Sequence, residues 1–246
     1  RREPGKIYNC YIMPGLIDSH IHIESSMLTP GSFAIAAVPH GTIGVVSDPH
    51  EIGNVLGTAG VMAMIDDGKK VPFRFYFGAP SCVPATDFET TGACIDSKDT
   101  EKLLEREDIL FLAEMMNFPG VVSGDKEVLK KIEIAKRHNK KIDGHAPGLT
   151  GEMLKTYVDA GISTDHECSS MNEALEKIGL GMKILIREGS AARNLNALKG
   201  LYLSSAQNIM LCSDDLHPEM LVERHLEKII AKLIFTAIRL KMEEKL

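Results

Sequence analysis

Two histidines one residue apart, His20 and His22, follow the largely apolar run Ile12–Ile17. Alternate residues of a strand share a face, so the pair would present two imidazoles together. Neutral imidazoles a few ångströms apart can hold one metal ion from two directions. A dyad alone is a weak signal, because most histidines are surface groups or satisfied core groups. Its weight comes from what ends the later apolar runs: Ser47-Asp48-Pro49-His50-Glu51, Ala113-Glu114-Met115, Asp143-Gly144-His145, Asp165-His166-Glu167 and Ser213-Asp214-Asp215-Leu216-His217. Four histidines and two carboxylates gathered from such strand ends could hold two divalent ions, one carboxylate bridging. Such ions lower the pKa of water from 15.7 toward about 7 and give a nucleophile at neutral pH.

Each residue also has a plainer reading. His145, beside Gly144 and Pro147, suits a turn, and His166 between Asp165 and Glu167 suits a solvated charge cluster. Glu114 is harder to place that way: it follows Ile109-Leu-Phe-Leu-Ala and precedes two methionines. An unpaired buried charge there would cost several kcal/mol. Asp214, after Ile209-Met-Leu-Cys, needs a cation or donors for the same reason. Asp48-Pro49 favours a turn, which puts His50 and Glu51 on a loop, either as proton-transfer groups or as ordinary polar residues. His40, His138, His217 and His225 read as helix or surface histidines, with His217 notable for lying one turn beyond Asp214.

Positioning such groups requires strands that end together. Eight candidate strands are Tyr11–Ile23, Thr42–Ser47, Phe73–Gly78, Ile109–Met115, Lys141–Gly144, Gly161–Asp165, Lys183–Arg187 and Ile209–Ser213. Several are continuous apolar runs, as expected of strands covered on both faces. Between them, Asp125–Arg137 is amphipathic with Val128, Leu129, Ile132 and Ala135 on one face. A hydroxyl cap at Thr150 opens another helix, Ser170 with Glu173 resembles a capping box, and Pro218 opens a final helix reaching Leu246. Alternating strands and helices predict an α/β fold, a (β/α)8 TIM-type barrel, whose strand ends carry chemistry. An open doubly wound sheet is the alternative. The loop Ala79–Asp87, with two prolines, could fold over the barrel mouth.

Composition narrows the classes. The 246 residues carry a net charge of −6 and are 44% hydrophobic, which suits a globular core and disfavours a nucleic-acid or anionic-membrane surface. The five cysteines form no CxxC pair, which points to a reduced cytoplasmic setting. No run approaches the roughly 18 apolar residues of a membrane span, and no phosphate-binding glycine motif is present. The chain starts just before a strand and stops in a charged helical stretch, which predicts a piece of a longer protein.

Taken together, Pro14-Gly-Leu-Ile-Asp-Ser-His-Ile-His-Ile-Glu-Ser-Ser-Met27, Ser47-Asp-Pro-His-Glu-Ile-Gly-Asn-Val55, Ala113-Glu-Met-Met-Asn117, Asp143-Gly-His-Ala-Pro-Gly148, Thr164-Asp-His-Glu167 and Cys212-Ser-Asp-Asp-Leu-His-Pro218 resemble the amidohydrolase superfamily and, within it, the bacterial and archaeal adenine deaminases. The HxH motif marks only the superfamily; Glu-Ser-Ser-Met, Asp-Pro-His-Glu and Ser-Asp-Asp-Leu-His-Pro are more specific. The resemblance implies deamination of adenine to hypoxanthine and ammonia by a hydroxide held at two divalent ions, Mn2+ or Fe2+, with Zn2+ also compatible. It implies His20 and His22 on the first metal, Glu114 bridging, and His145 and His166 on the second. Asp214 would ligate and take the proton of the attacking water, with His50 aiding proton transfer. Many superfamily members use a carboxylated lysine as the bridge, and none lies in Phe111–Asn117. Asp214 rather than Asp215 as ligand follows from the Ser-Asp order alone. Glu24, Ser25, Glu51 and Asp215 are the candidate substrate-binding residues.

The resemblance also implies a small flanking β domain largely missing here, with residues 1–10 as its remnant and 11–246 as the barrel. A small purine substrate is the expected partner, with no nucleic acid or membrane, and a homo-oligomer is left open. Two alternatives stay open: an inactive barrel remnant, and a related enzyme acting on another aminopurine or a cyclic amide.

Overall fold

The computed structural model describes residues 13–86 and 88–243. The expected remnant over 1–10 and the expected strand start at Tyr11 lie outside these residues. The strands are β1 (Leu16–His22), β2 (Thr42–Ser47), β3 (Arg74–Ala79), β4 (Ile109–Met115), β5 (Lys141–Gly144), β6 (Thr164–Asp165), β7 (Lys183–Arg187), β8 (Ile209–Cys212) and β9 (Asp214–Asp215). The helices begin with α1 (Pro30–Ala37), α2 (His50–Leu56), α3 (Thr58–Gly68), α4 (Ser97–Leu104), α5 (Phe118–Ser123) and α6 (Lys126–Arg137). They continue with α7 (Gly151–Asp159), α8 (Met171–Gly179), α9 (Leu195–Leu198), α10 (Leu201–Ser204), α11 (Pro218–Glu223) and α12 (Leu226–Glu243). None of these helices is long and apolar enough to cross a membrane.

Every strand pairing is parallel. One sheet runs β5-β4-β3-β2-β1-β9 and the other β6-β7-β8. Only Ser213 separates β8 from β9, so the chain itself carries one sheet into the other at that seam. At the other seam, between β5 and β6, a single bridge joins Ile142 to Ile162. The laddering is therefore interrupted rather than continuous around the curled sheet. A Cβ on Gly144 would lie 2.1 Å from the Thr164 carbonyl oxygen, so only glycine lets β5 approach β6 this closely.

The helices form where local signals agree with burial. Asp125 caps α6 by accepting from Glu127 and Val128 N–H, and Lys136 and Arg137 occupy its last turn, where the helix dipole favours cations. Val128, Ile132 and Ala135 are buried on its inner face. Strand β4 is buried at six of its seven residues, which explains its unbroken apolar run.

Several expectations are corrected. The first strand stops at His22, because Ile23–Ser26 turn into a 3-10 helix. The sixth strand shrinks to Thr164–Asp165, and the final helix is two helices broken at Arg224–His225. His50 and Glu51 open α2 instead of sitting on a loop. Ser81, Cys82 and Val83 are buried, and Lys131 of α6 donates to the Ser81 carbonyl, so the start of the Pro-bearing loop packs inward. His225, expected at the surface, is buried: its Nδ1 and the Thr42 hydroxyl lie 2.8 Å apart, and its Nε2 is 2.8 Å from Asp18 Oδ2.

Candidate metal centre

Strand register assembles the cluster. Parallel pairing sets Ile21 opposite Asp214 and His22 opposite Asp215, which brings the end of β9 beside the dyad of β1. Asp214 has a φ of +59°, a left-handed conformation that aspartate tolerates better than most residues. Its Oδ1 lies 3.2 Å from His22 Nε2 and 3.5 Å from His20 Nε2. Asp215 turns elsewhere: Ser25 Oγ lies 2.6 Å from its Oδ1 and 3.1 Å from Glu51 Oε1. Glu24, adjacent in sequence to Ser25, accepts from the N–H of Ile52, the residue after Glu51, at 3.2 Å. Burial lifts its carboxyl to about 7, and its Oε2 has no partner.

Glu114, at the end of β4, reaches both histidine pairs. Its Oε1 is 3.2 Å from His22 Nε2. Its Oε2 is 2.7 Å from His145 Nδ1 and 3.2 Å from His166 Nε2. The His20 and His166 rings stack at 4.1 Å, so the pairs adjoin. His50 Nδ1 is 3.0 Å from Asp48 Oδ2 and 3.4 Å from Glu114 Oε1. His217 stays outside, 49% exposed beside Glu219.

The donor chemistry suits cations. His22 Nδ1 donates to the Asp48 carbonyl at 3.0 Å and His20 Nδ1 to Asp143 Oδ2 at 2.8 Å. In the neutral rings both Nε2 atoms then carry lone pairs, and these atoms face each other at 3.2 Å. Two lone pairs so placed repel unless a positive charge lies beside them. Burial alone would pull His20 and His22 down; hydrogen bonds and charges from Asp143, Asp214 and Glu114 on His20, and from Asp214, Glu114 and Asp48 on His22, overcome it and raise both rings well above the ordinary value. Burial would likewise raise Glu114 and Asp214, but the facing histidines hold both carboxylates well below their usual range. The field that keeps protons on the rings is one a divalent cation would satisfy. Ligand atoms lie within 4.8 Å of one another in His20–His22–Asp214, in Glu114–His145–His166, in His22–Asp48–His50–Glu114 and in His20–Asp143–His166, the last of which spans both pairs.

The sequence reading missed several groups around this cluster. Asp143 lies two residues before His145, so strand alternation was a usable signal. Arg187 ends β7, and its Nη1 donates to Asp214 Oδ2 at 2.6 Å and to Glu167 Oε1 at 2.5 Å. A cleft of about 330 Å³ opens there, lined in part by Gly148, Glu167, Arg187 and Asn194. A larger cleft of about 500 Å³, beside Phe73, Phe75 and Asp108, lies at the N-terminal ends of β3 and β4. Barrel chemistry sits at the carboxyl ends, so the smaller cleft is the relevant one.

A parallel α/β barrel with histidines and carboxylates gathered at its strand ends defines a class of barrel hydrolases. Residues 11–233 match the model of the amidohydrolase family, and the chain belongs to that family. A curated relative from Parabacteroides distasonis, named adenine deaminase, is 55% identical over 228 residues, which are 93% of this chain and 42% of the relative. Another of that name, from Methanosarcina barkeri, is 55% identical over 223 residues, 90% of this chain and 40% of the relative. The chain thus spans about two fifths of the relatives it matches. Among solved structures, a TatD homologue from Escherichia coli K12 superposes with a TM-score of 0.59 at 15% identity, covering 89% of this chain and 95% of its own. That likeness concerns the fold alone.

Proposed function

We propose that residues 11–246 form the barrel of a hydrolytic adenine deaminase, which converts adenine and water to hypoxanthine and ammonia in the cytoplasm. The observation that carries this reading is Glu114, whose two oxygens touch histidines of two separate pairs. The names of relatives at 55% identity supply the substrate.

In this reading His20, His22 and Asp214 hold one divalent ion, His145 and His166 hold a second, and Glu114 serves both; Mn2+ or Fe2+ fits these ligands, and Zn2+ is also compatible. When bound, the ions supply an activated water at neutral pH. Asp214 Oδ1 receives the proton of the attacking water and delivers it to the amino group leaving C6. His50, held at Nδ1 by Asp48, stands beside Glu114 as a proton carrier. Ser25, Glu51 and Asp215 form one hydrogen-bonded group, and with Glu24, which accepts from Ile52 N–H nearby, they hydrogen-bond the purine edge. With a carboxyl pKa near neutrality, Glu24 can donate as well as accept. Cys82, Cys168 and Cys212 are buried free thiols, which suits a reducing compartment.

The test incubates the chain with Mn2+ and measures ammonia and hypoxanthine. Release from adenine, lost in Glu114→Gln and Asp214→Asn, supports the proposal. Metal uptake without turnover of adenine supports an inactive barrel. Turnover of guanine or dihydroorotate in place of adenine reassigns the substrate.

A further inference from the structure

Lys177 of α8 has no solvent exposure. Its ammonium donates to the Ala146 carbonyl at 2.6 Å, to Glu173 Oε1 at 2.8 Å and to Asp165 Oδ2 at 3.0 Å, which uses all three of its protons. Both carboxylates then accept backbone N–H groups. Asp165 takes those of Ala146 at 2.8 Å and Glu167 at 3.2 Å. Glu173 takes those of Gly148 at 2.9 Å and Ser169 at 3.0 Å. Ala146 and Gly148 follow His145, and Asp165 and Glu167 bracket His166. One lysine therefore organises both loops that carry the second histidine pair.

The rings of that pair are anchored less evenly than those of the first. His20 and His22 are each held at Nδ1, by Asp143 and by the Asp48 carbonyl. His145 Nδ1 meets Glu114 Oε2 at 2.7 Å on a side chain 26% exposed, while His166 Nδ1 is buried without a partner. A hydrophobic side chain of similar volume could often replace a buried ion group without loss of stability. What it could not do is tie four backbone amides of two loops to one point.

We propose that Lys177 is a positioning residue for His145 and His166, and that it sets the affinity of the second ion while leaving the first unaffected. This rests on the metal reading above. The test titrates the metal-stripped chain with Mn2+ and resolves two binding steps by calorimetry. His22→Asn, at a ring that meets His20, Asp214 and Glu114 but neither His145 nor His166, marks the step belonging to the first pair. Lys177→Met is expected to weaken the other step at least several-fold, up to the roughly 10- to 100-fold seen when a direct outer partner of a metal ligand is lost. Ile132→Ala, a core truncation on α6, is expected to lower stability and leave both steps in place.

The proposal is overturned if Lys177→Met weakens both steps equally, weakens the step marked by His22→Asn, or changes neither. It is overturned also if Ile132→Ala reproduces the selective loss. Should Lys177→Met fail to fold, Glu173→Gln, which spoils the acceptor of Ser169 N–H, must show the same selective weakening; unchanged binding overturns the idea. Wild-type chain that takes up no ion overturns the metal reading itself, an outcome separate from two normal steps in the Lys177 variant.

Discussion

The two halves of the cluster are held by different means. On the β1–β2 side the histidine rings themselves are held: His20 by Asp143 reaching over from β5, His22 by the Asp48 backbone carbonyl, His50 by the Asp48 side chain. On the β5–β6 side the backbone is held instead, by the Lys177 group and by Tyr157, whose hydroxyl accepts from His145 N–H at 3.0 Å. Strand register explains the contrast. β1 lies inside a laddered sheet, between β2 and β9, and its histidines inherit fixed positions. β5 and β6 share only one bridge, so the loops that follow them need a separate brace.

Glu114 is where the halves meet, and its loss should have the largest effect. In Glu114→Gln one carboxylate oxygen becomes an amide N–H that faces histidine nitrogens on one side or the other. Turnover should fall by more than the roughly 100-fold typical of an outer partner, and ammonia release measures it. Residual activity near the wild-type level would mean that the two pairs do not act together.

His22→Asn acts on one half alone, because its ring meets His20, Asp214 and Glu114 but neither His145 nor His166. It should weaken binding at the first pair by at least the roughly 10- to 100-fold of a lost outer partner while His145 and His166 keep their loops. Calorimetric titration with Mn2+ reads this directly. Equal weakening at both steps would erase the distinction between the halves.

Much of this arrangement was legible in the residue order. The ranges Thr42–Ser47, Ile109–Met115, Lys141–Gly144 and Lys183–Arg187 match the strands found; Ile109–Met115 is the clearest, because a strand buried on both faces appears as a nearly unbroken apolar run. Acidic and histidine residues after those runs led to the cluster. The braces were hidden for identifiable reasons. Glu173 and Lys177 stand at i and i+4, a spacing that usually marks a solvated pair on a helix surface. Glu173 also fits a capping box, and Ser170 Oγ does accept from its N–H, yet its carboxylate binds Ser169 N–H and the other loop. His225 sits in a charged stretch and looks exposed; only its meeting with Asp18, 207 residues away, buries it. Partners that distant leave no local pattern.

Tyr157→Phe probes the backbone brace more gently. The hydroxyl accepts from His145 N–H and donates to the Met115 carbonyl at 2.9 Å, so its removal leaves two buried backbone groups short of a partner. The loss should be about 1–2 kcal/mol in urea unfolding, with a weaker second binding step and an unchanged first. A stability loss with both steps intact would confine Tyr157 to the fold.

Asp67 offers the smallest effect and a reference remote from both halves. Its Oδ2 accepts from Gly31 N–H at 2.8 Å, joining the end of α3 to the start of α1. That bond, with Thr29 and Lys70, lowers its pKa from 3.8 to about 2. A carboxylate lowered on folding contributes stability that is present above its unfolded pKa and lost as pH falls through its folded one. Asp67→Asn should therefore lower stability by less than about 1 kcal/mol at pH 6, the scale of a solvent-screened pair. The difference from wild type should fade between about pH 4 and pH 2, as read by urea unfolding across that range. Both Mn2+ steps should be untouched at pH 7, because α1 and α3 carry no member of the cluster. A changed step would show that stability anywhere in the barrel reaches the histidines, and the two halves would then differ in composition without differing in control.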